Sequence, residues 1–292
     1  MRGGGGGAAR SPARTGREEG ERTTMADDHA PAATDLKITK LHPHIGARIE
    51  GVDLSTRPDQ ATIDAIVQAW LDHQVIILPG QSMSAEDQVR VTGWFGEIGA
   101  LSRPQHLFPA GYSKLPDGVM MISNIRENGE PVGALPDGEM MFHHDMIHAE
   151  IPSKGTMLLA VEVPTHGGDT LFASGYAAYE TLDPELKSAL EGKRALNRYD
   201  LGSTQRGGAG GHASGAVREC VHPVFRTHED TGRKAVYVNR LMTVAIEGMP
   251  EDESDEILTR LFDHAEQTPS SIAPVDGRRP AALGHRCSAT PA

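Results

Sequence analysis

A mainly β fold with flanking helices is predicted by three features of this sequence. From Met120 onward, short apolar runs are separated by Gly, Pro and Asp, the punctuation of short strands. Between Leu36 and Leu54 apolar positions alternate with polar ones, which suits strands and a turn. Helical spacing is confined to four stretches.

The first helix is predicted over Asp59 to Asp72, where Ile63, Ile66, Val67, Trp70 and Leu71 recur at three- and four-residue intervals. The apolar run from Gln74 to Leu78 reads as a buried strand. Ser84 is a helix N-cap with acids just inside it at Glu86 and Asp87, and the second helix runs through Val89, Val91 and Trp94 to Phe95. Two more helices are expected, at Ala177 to Glu191 behind Ser174-Gly175 and at Asp252 to Glu266. The glycine-rich run Gly207 to Gly215 reads as a mobile loop. Residues 270–292 carry Pro, Arg, Ala and Ser without strand or helix period.

A length of 292 residues accommodates one large domain or two small ones. The expected division is a disordered leader over 1–34, the structured domain over 35–269, and an aberrant tail over 270–292. The leader is rich in Gly and Arg, lacks the apolar centre of a secretion signal, and holds Glu18, Glu19 and Glu21, unlike an organelle transit peptide. No apolar stretch approaches the roughly 18 residues of a membrane span. A net charge of −12 argues against nucleic acid, whose phosphates are bound by clustered Lys and Arg. Two cysteines provide no disulfide framework and fit a cytoplasmic location. The expected partner is a small-molecule substrate, with self-association left open. Fourteen histidines turn attention to metal chemistry.

His143 and Asp145 stand two apart in a stretch read as a strand or its end. At that period both side chains share one face, and His144 points to the other. An imidazole nitrogen and a carboxylate oxygen on one face supply two-thirds of a 2-His-1-carboxylate iron site, which leaves open positions for a cosubstrate and oxygen.

Four ordered motifs extend this pair. They are Pro43-His-Ile-Gly-Ala-Arg-Ile-Glu-Gly-Val-Asp-Leu54, the run from Met141 to Pro152, Pro164 to Tyr179 with its Gly-Gly-Asp-Thr, and His222 to Asn239. Together they resemble the iron(II)- and 2-oxoglutarate-dependent dioxygenases of the taurine and chlorophenoxyacetate family, over about Leu36 to Pro269. The resemblance implies a double-stranded β-helix, a jelly-roll barrel with helices outside. It implies Fe(II), 2-oxoglutarate and molecular oxygen as cofactor and cosubstrates, and hydroxylation of a small anionic organic molecule. It makes His143 and Asp145 the first two iron ligands, and Thr170 a hydrogen-bond donor to a 2-oxoglutarate carboxylate. By the same resemblance His222 and His228 belong to a structural strand and turn, and His148 and His166 to the surface or to the surroundings of the ligands. Arg103 and His106 could meet an anionic substrate. The stretch after Phe95-Gly96 lacks the Tyr that accompanies taurine recognition, which puts taurine itself in doubt.

The resemblance breaks in the tail. The family continues with a strand, a Trp-x-x-Gly-Asp turn, a second strand, a distal His ligand and an Arg for the far carboxylate of the cosubstrate. Family spacing puts that His at Pro291, and His285-Arg286 comes about six residues too early. The C-terminal strands are therefore expected to be missing or out of frame. Val275 to His285 can be encoded so that a one-base shift reads Trp-Thr-Val-Gly-Asp-Leu-Leu-Leu-Trp-Asp, the absent motif. The alternative expectation is a non-catalytic remnant or binding protein lacking the distal His and the Arg.

Overall fold

The alternation read before residue 54 becomes an antiparallel hairpin in the computed structural model. It is formed by β1 (Lys37–Lys40) and β2 (Ala47–Glu50), with Ile38 opposite Ile49. The structure describes residues 36–99, 115–123, 125–131, 141–162, 170–200, 217–267, 270–272, 281–285 and 288–289, the last three segments by backbone alone. All fall within one unit, Ala33–Ala292. The expected leader and the glycine-rich loop lie outside the described residues.

Helix α1 (Gln60–His73) starts where Asp59 accepts the Thr62 N–H, and buries Ile63, Ile66, Ala69 and Trp70. It is followed by β3 (Val75–Leu78), whose four residues are all buried. Helix α2 (Ala85–Thr92) opens on a capping box between Ser84 and Asp87 and ends at Thr92, three residues short of the expected end. Next come a tight hairpin of β4 (Arg126–Glu127) and β5 (Glu130–Pro131). Asn128 and Gly129 turn it with φ of 53° and 84°, the left-handed pair such hairpins require.

After this hairpin the chain forms β6 (Gly155–Leu159) and β7 (Thr170–Ser174). The single helix expected over 177–191 is two helices, α3 (Gly175–Thr181) and α4 (Pro184–Leu190). Pro184 cannot continue the preceding helix, because it lacks an N–H and forces its neighbour to extend. Asp183 instead caps the new helix by accepting from Glu185 and Leu186. The remaining elements are β8 (Arg194–Asp200), β9 (Val217–Pro223), β10 (Phe225–Thr227), β11 (Lys234–Val236), β12 (Thr243–Ile246) and α5 (Glu251–Glu266).

The tail corrects the expectation of missing strands. Its backbone forms β13 (Ser270–Ile272), β14 (Ala281–His285) and β15 (Ser288–Ala289). β13 and β15 pair with β7, and β14 lies antiparallel between β3 and β6, completing a sheet of order β1-β2-β3-β14-β6. Ladder bonds are made by backbone groups, so two open edges can recruit a segment whose side chains show no strand period. The other sheets are β12-β8-β9, β13-β7-β15 and the pairs β10-β11 and β4-β5, and no closed barrel forms among the described strands.

The pleat divides the five-stranded sheet. Ala47, Ile49, Ile76 and Leu78, with Met157 and Leu159, pack under α1 and α2. Val75 and Ile77 face the other way, against Ile45 and Phe172 of β7. Gln88 of α2 donates to the Met157 carbonyl at 3.1 Å and so caps the edge of β6. A second core joins α3, α4 and α5 to β8, β10, β11 and β12 through Leu186, Leu190, Val236, Ile246, Leu258 and Phe262. Among the described residues, no helix is long and apolar enough to cross a membrane.

Candidate metal centre

His143 lies on irregular chain and Asp145 opens a turn at 145–148, so the expected strand is absent there. The local reason is Met146, whose φ of 59° turns the chain sharply just after Asp145. The pairing holds nonetheless. His143 Nε2 stands 3.2 Å from Asp145 Oδ1, and His144 points away, buried against the Tyr237 ring at 4.9 Å.

The His143 ring is oriented by its other nitrogen, which donates to the Met141 carbonyl at 2.9 Å. That bond leaves Nε2 directed at the carboxylate, the arrangement in which a histidine can ligate a metal. Adjacent donors on an octahedral ion with bonds of about 2.1 Å lie about 3 Å apart. The observed spacing therefore fits a shared metal as well as it fits a hydrogen bond. Asp145 Oδ2 accepts from the Thr156 hydroxyl on β6, which fixes the second oxygen.

The electrostatics agree with a coupled pair. Burial alone would depress the His143 imidazole, but the hydrogen bond and charge of Asp145 reverse this and hold it above its usual value. Burial would raise the Asp145 carboxyl, yet the His143 and Thr156 contacts outweigh it and hold it at about 2. His144 is pushed down to about 3, first by burial and then by the charge of His143. It is a neutral ring at physiological pH.

Thr170 opens β7 and, by the two-residue period, shares the face of Phe172. Phe172 packs on Val75 and Ile77 of β3, and through β14 the register places Thr156 on that same face of the large sheet. Thr170 and Thr156 thus belong to facing surfaces. His285 pairs through its backbone with Gly155, one residue from Thr156.

His222 sits on β9, and His228 closes the β10–β11 turn by accepting from the N–H groups of Asp230 and Thr231. His148 is buried beside Tyr199 at 5.3 Å, not at the surface. Arg103, His106 and His166 lie outside the described residues. Among the described residues no group of three His, Cys, Asp or Glu is arranged to hold a metal. Sequence reasoning missed Thr156 and Asn239; the latter stood in the Tyr-Val-Asn motif without a role.

The family model described as Taurine catabolism dioxygenase TauD, TfdA family matches residues 37–273. The chain belongs to the TauD/TfdA dioxygenase family. Members of this family are 2-oxoglutarate-dependent dioxygenases that use Fe(II) and molecular oxygen. The chain is 29% identical to an (S)-phenoxypropionate/alpha-ketoglutarate-dioxygenase of Delftia acidovorans, over 81% of this chain and 82% of that protein. It is 31% identical to the alpha-ketoglutarate-dependent 2,4-dichlorophenoxyacetate dioxygenase of Cupriavidus pinatubonensis, covering 78% and 81%. A solved taurine dioxygenase from Burkholderia xenovorans shares the fold with a TM-score of 0.69 at 24% identity, over 88% of this chain and 83% of that one.

Proposed function

We propose that this TauD/TfdA dioxygenase hydroxylates a small anionic organic substrate in the cytoplasm, on a double-stranded β-helix frame. His143 and Asp145 are its first two iron ligands. The observation that carries this reading is the 3.2 Å pairing of His143 Nε2 with Asp145 Oδ1, each oriented by a separate hydrogen bond. Names of the relatives, which act on phenoxypropionate and dichlorophenoxyacetate, support the substrate class.

When bound, iron supplies the activation of oxygen that is coupled to decarboxylation of 2-oxoglutarate. The protein's own part is positional. His143 offers Nε2 because the Met141 carbonyl takes its other proton. Asp145, ionised far below neutral pH, offers Oδ1 while Thr156 holds Oδ2. Thr170, on the face opposite Thr156, is the hydrogen-bond donor to a cosubstrate carboxylate.

A second reading is favoured by the register of β14, which pairs His285 with Gly155 and not with Thr156. On that reading the chain as written lacks its third ligand and is a non-catalytic remnant or binding protein. Ser270 to His285 would then be an out-of-frame stretch.

Anaerobic titration of the purified chain with Fe(II) and 2-oxoglutarate separates the two. Dioxygenase activity predicts a weak visible charge-transfer band and formation of succinate when oxygen is admitted. His143→Ala and Asp145→Asn should each abolish the band, since either removes one of two donors. A folded chain that gives no band and no succinate supports the remnant. A band that survives both substitutions would refute the ligand assignment.

A further inference from the structure

Two side chains from the second half of the chain grip the turn that carries Asp145. His222, buried on β9, donates from Nε2 to the Ala149 carbonyl at 2.8 Å. Asn239, also buried, donates from Nδ2 to His144 Nδ1 at 3.4 Å. One grip falls just before Asp145 and the other four residues after it. Both surround the same ring, because Tyr237 meets His144 at 4.9 Å and His222 edge-on at 5.8 Å.

Asn239 is itself anchored. Its side-chain oxygen accepts from the Met242 N–H at 2.9 Å, and its own N–H donates to the Thr243 hydroxyl at 2.9 Å. That hydroxyl donates to Asn197 Oδ1 on β8 at 2.7 Å. A buried polar chain thus runs from β8 to His144, where Nδ1 is the nitrogen it reaches.

The turn needs holding. Met146 adopts a left-handed φ of 59° without being glycine, which the chain disfavours unless neighbours enforce it. The Asp145 carboxylate meets His143 and Thr156 through its two oxygens, and the turn sets how it meets them.

We propose that His222 and Asn239 are positioning residues, a clasp at each end of residues 144–149 that holds the Asp145 carboxylate against His143. This rests on the reading of His143 and Asp145 as the metal pair. Neither residue touches the metal; both act through the backbone and His144.

Amide exchange in the metal-free full-length chain tests the clasp, because Ala149 N–H bonds Met146 O at 2.8 Å and Ile147 N–H bonds His144 O at 3.3 Å. His222→Ala and Asn239→Ala should each speed exchange at Ile147 and Ala149 about tenfold, with α5 and β10–β11 unchanged. Co(II) affinity, read from its visible absorption, should fall about tenfold in the same variants. His222→Gln keeps a donor for the Ala149 carbonyl and should recover most of both losses. The proposal is overturned if turn exchange is unaltered, if α5 loosens equally, or if Gln and Ala behave alike at position 222. If the wild-type chain takes up no Co(II), the metal reading fails and the clasp is judged on exchange alone.

Discussion

Gln74 shows how much one buried polar residue can join. It ends α1 with φ of 66°, and its backbone N–H still reaches the Trp70 carbonyl at 2.7 Å. Its side chain donates to the His44 carbonyl at 2.9 Å and accepts from the Ser174 hydroxyl at 2.6 Å. Ser174 in turn accepts from Ala177 N–H and caps α3. Gln74→Ala would take the acceptor from the buried Ser174 hydroxyl and the donor from the part-buried His44 carbonyl, so it should cost about 1–3 kcal/mol. Urea unfolding would register this as a lower midpoint at unchanged slope; an unchanged midpoint would refute it. Nothing in the local sequence marks Gln74 as special, because both its partners are distant in the chain. His143 and Asp145 were legible for the opposite reason: a short spacing brought both to one side, and even a turn in place of a strand preserved their meeting.

At the scale of elements, caps made the helices readable and a missed cap cost one. Ser84 and Asp59 start α2 and α1 with local bonds that spacing reveals. Asp183 was overlooked, and with it the break before Pro184. Ser84→Ala should lower stability by about 1 kcal/mol, measured by thermal or urea unfolding, because the Asp87 N–H loses its hydroxyl acceptor while the backbone half of the capping box remains. Acid sensitivity follows from the same caps. The Thr62 contacts hold the Asp59 carboxyl below its usual 3.8, and the Arg90 and Ser84 contacts do so for Asp87. A carboxyl depressed in the folded chain is protonated first in the unfolded one. Its stabilisation is therefore present above pH 3.8 and fades as pH falls through the lower folded value. Asp59→Asn keeps an accepting oxygen that does not titrate. Its melting temperature should fall less than that of the wild type between pH 5 and pH 2 (roughly the window of such carboxylates), and parallel curves would refute this.

For the whole molecule, the decisive element is β14. It fills the gap between β3 and β6, so one large sheet joins the N-terminal layer to the strand that carries Thr156. A chain cut after residue 280 would expose both edges with their apolar neighbours. Such edges recruit other chains, so the shortened protein should elute as aggregates in size-exclusion chromatography while the full chain does not. A monodisperse shortened protein would show that β14 is dispensable.

The sequence by itself determined the local and the ordered: helix starts, the apolar strands, the His143–Asp145 pair and the family that four motifs identify. Each depends on residues close together, or on their order along the chain. Only the tertiary structure decided that Thr156 bonds Asp145, that Asn239 bonds the neighbouring His144, and that the tail pairs as strands. Those outcomes depend on register and on backbone hydrogen bonds between distant segments. Backbone groups are the same in every residue except proline, so they leave no mark in the sequence to be read.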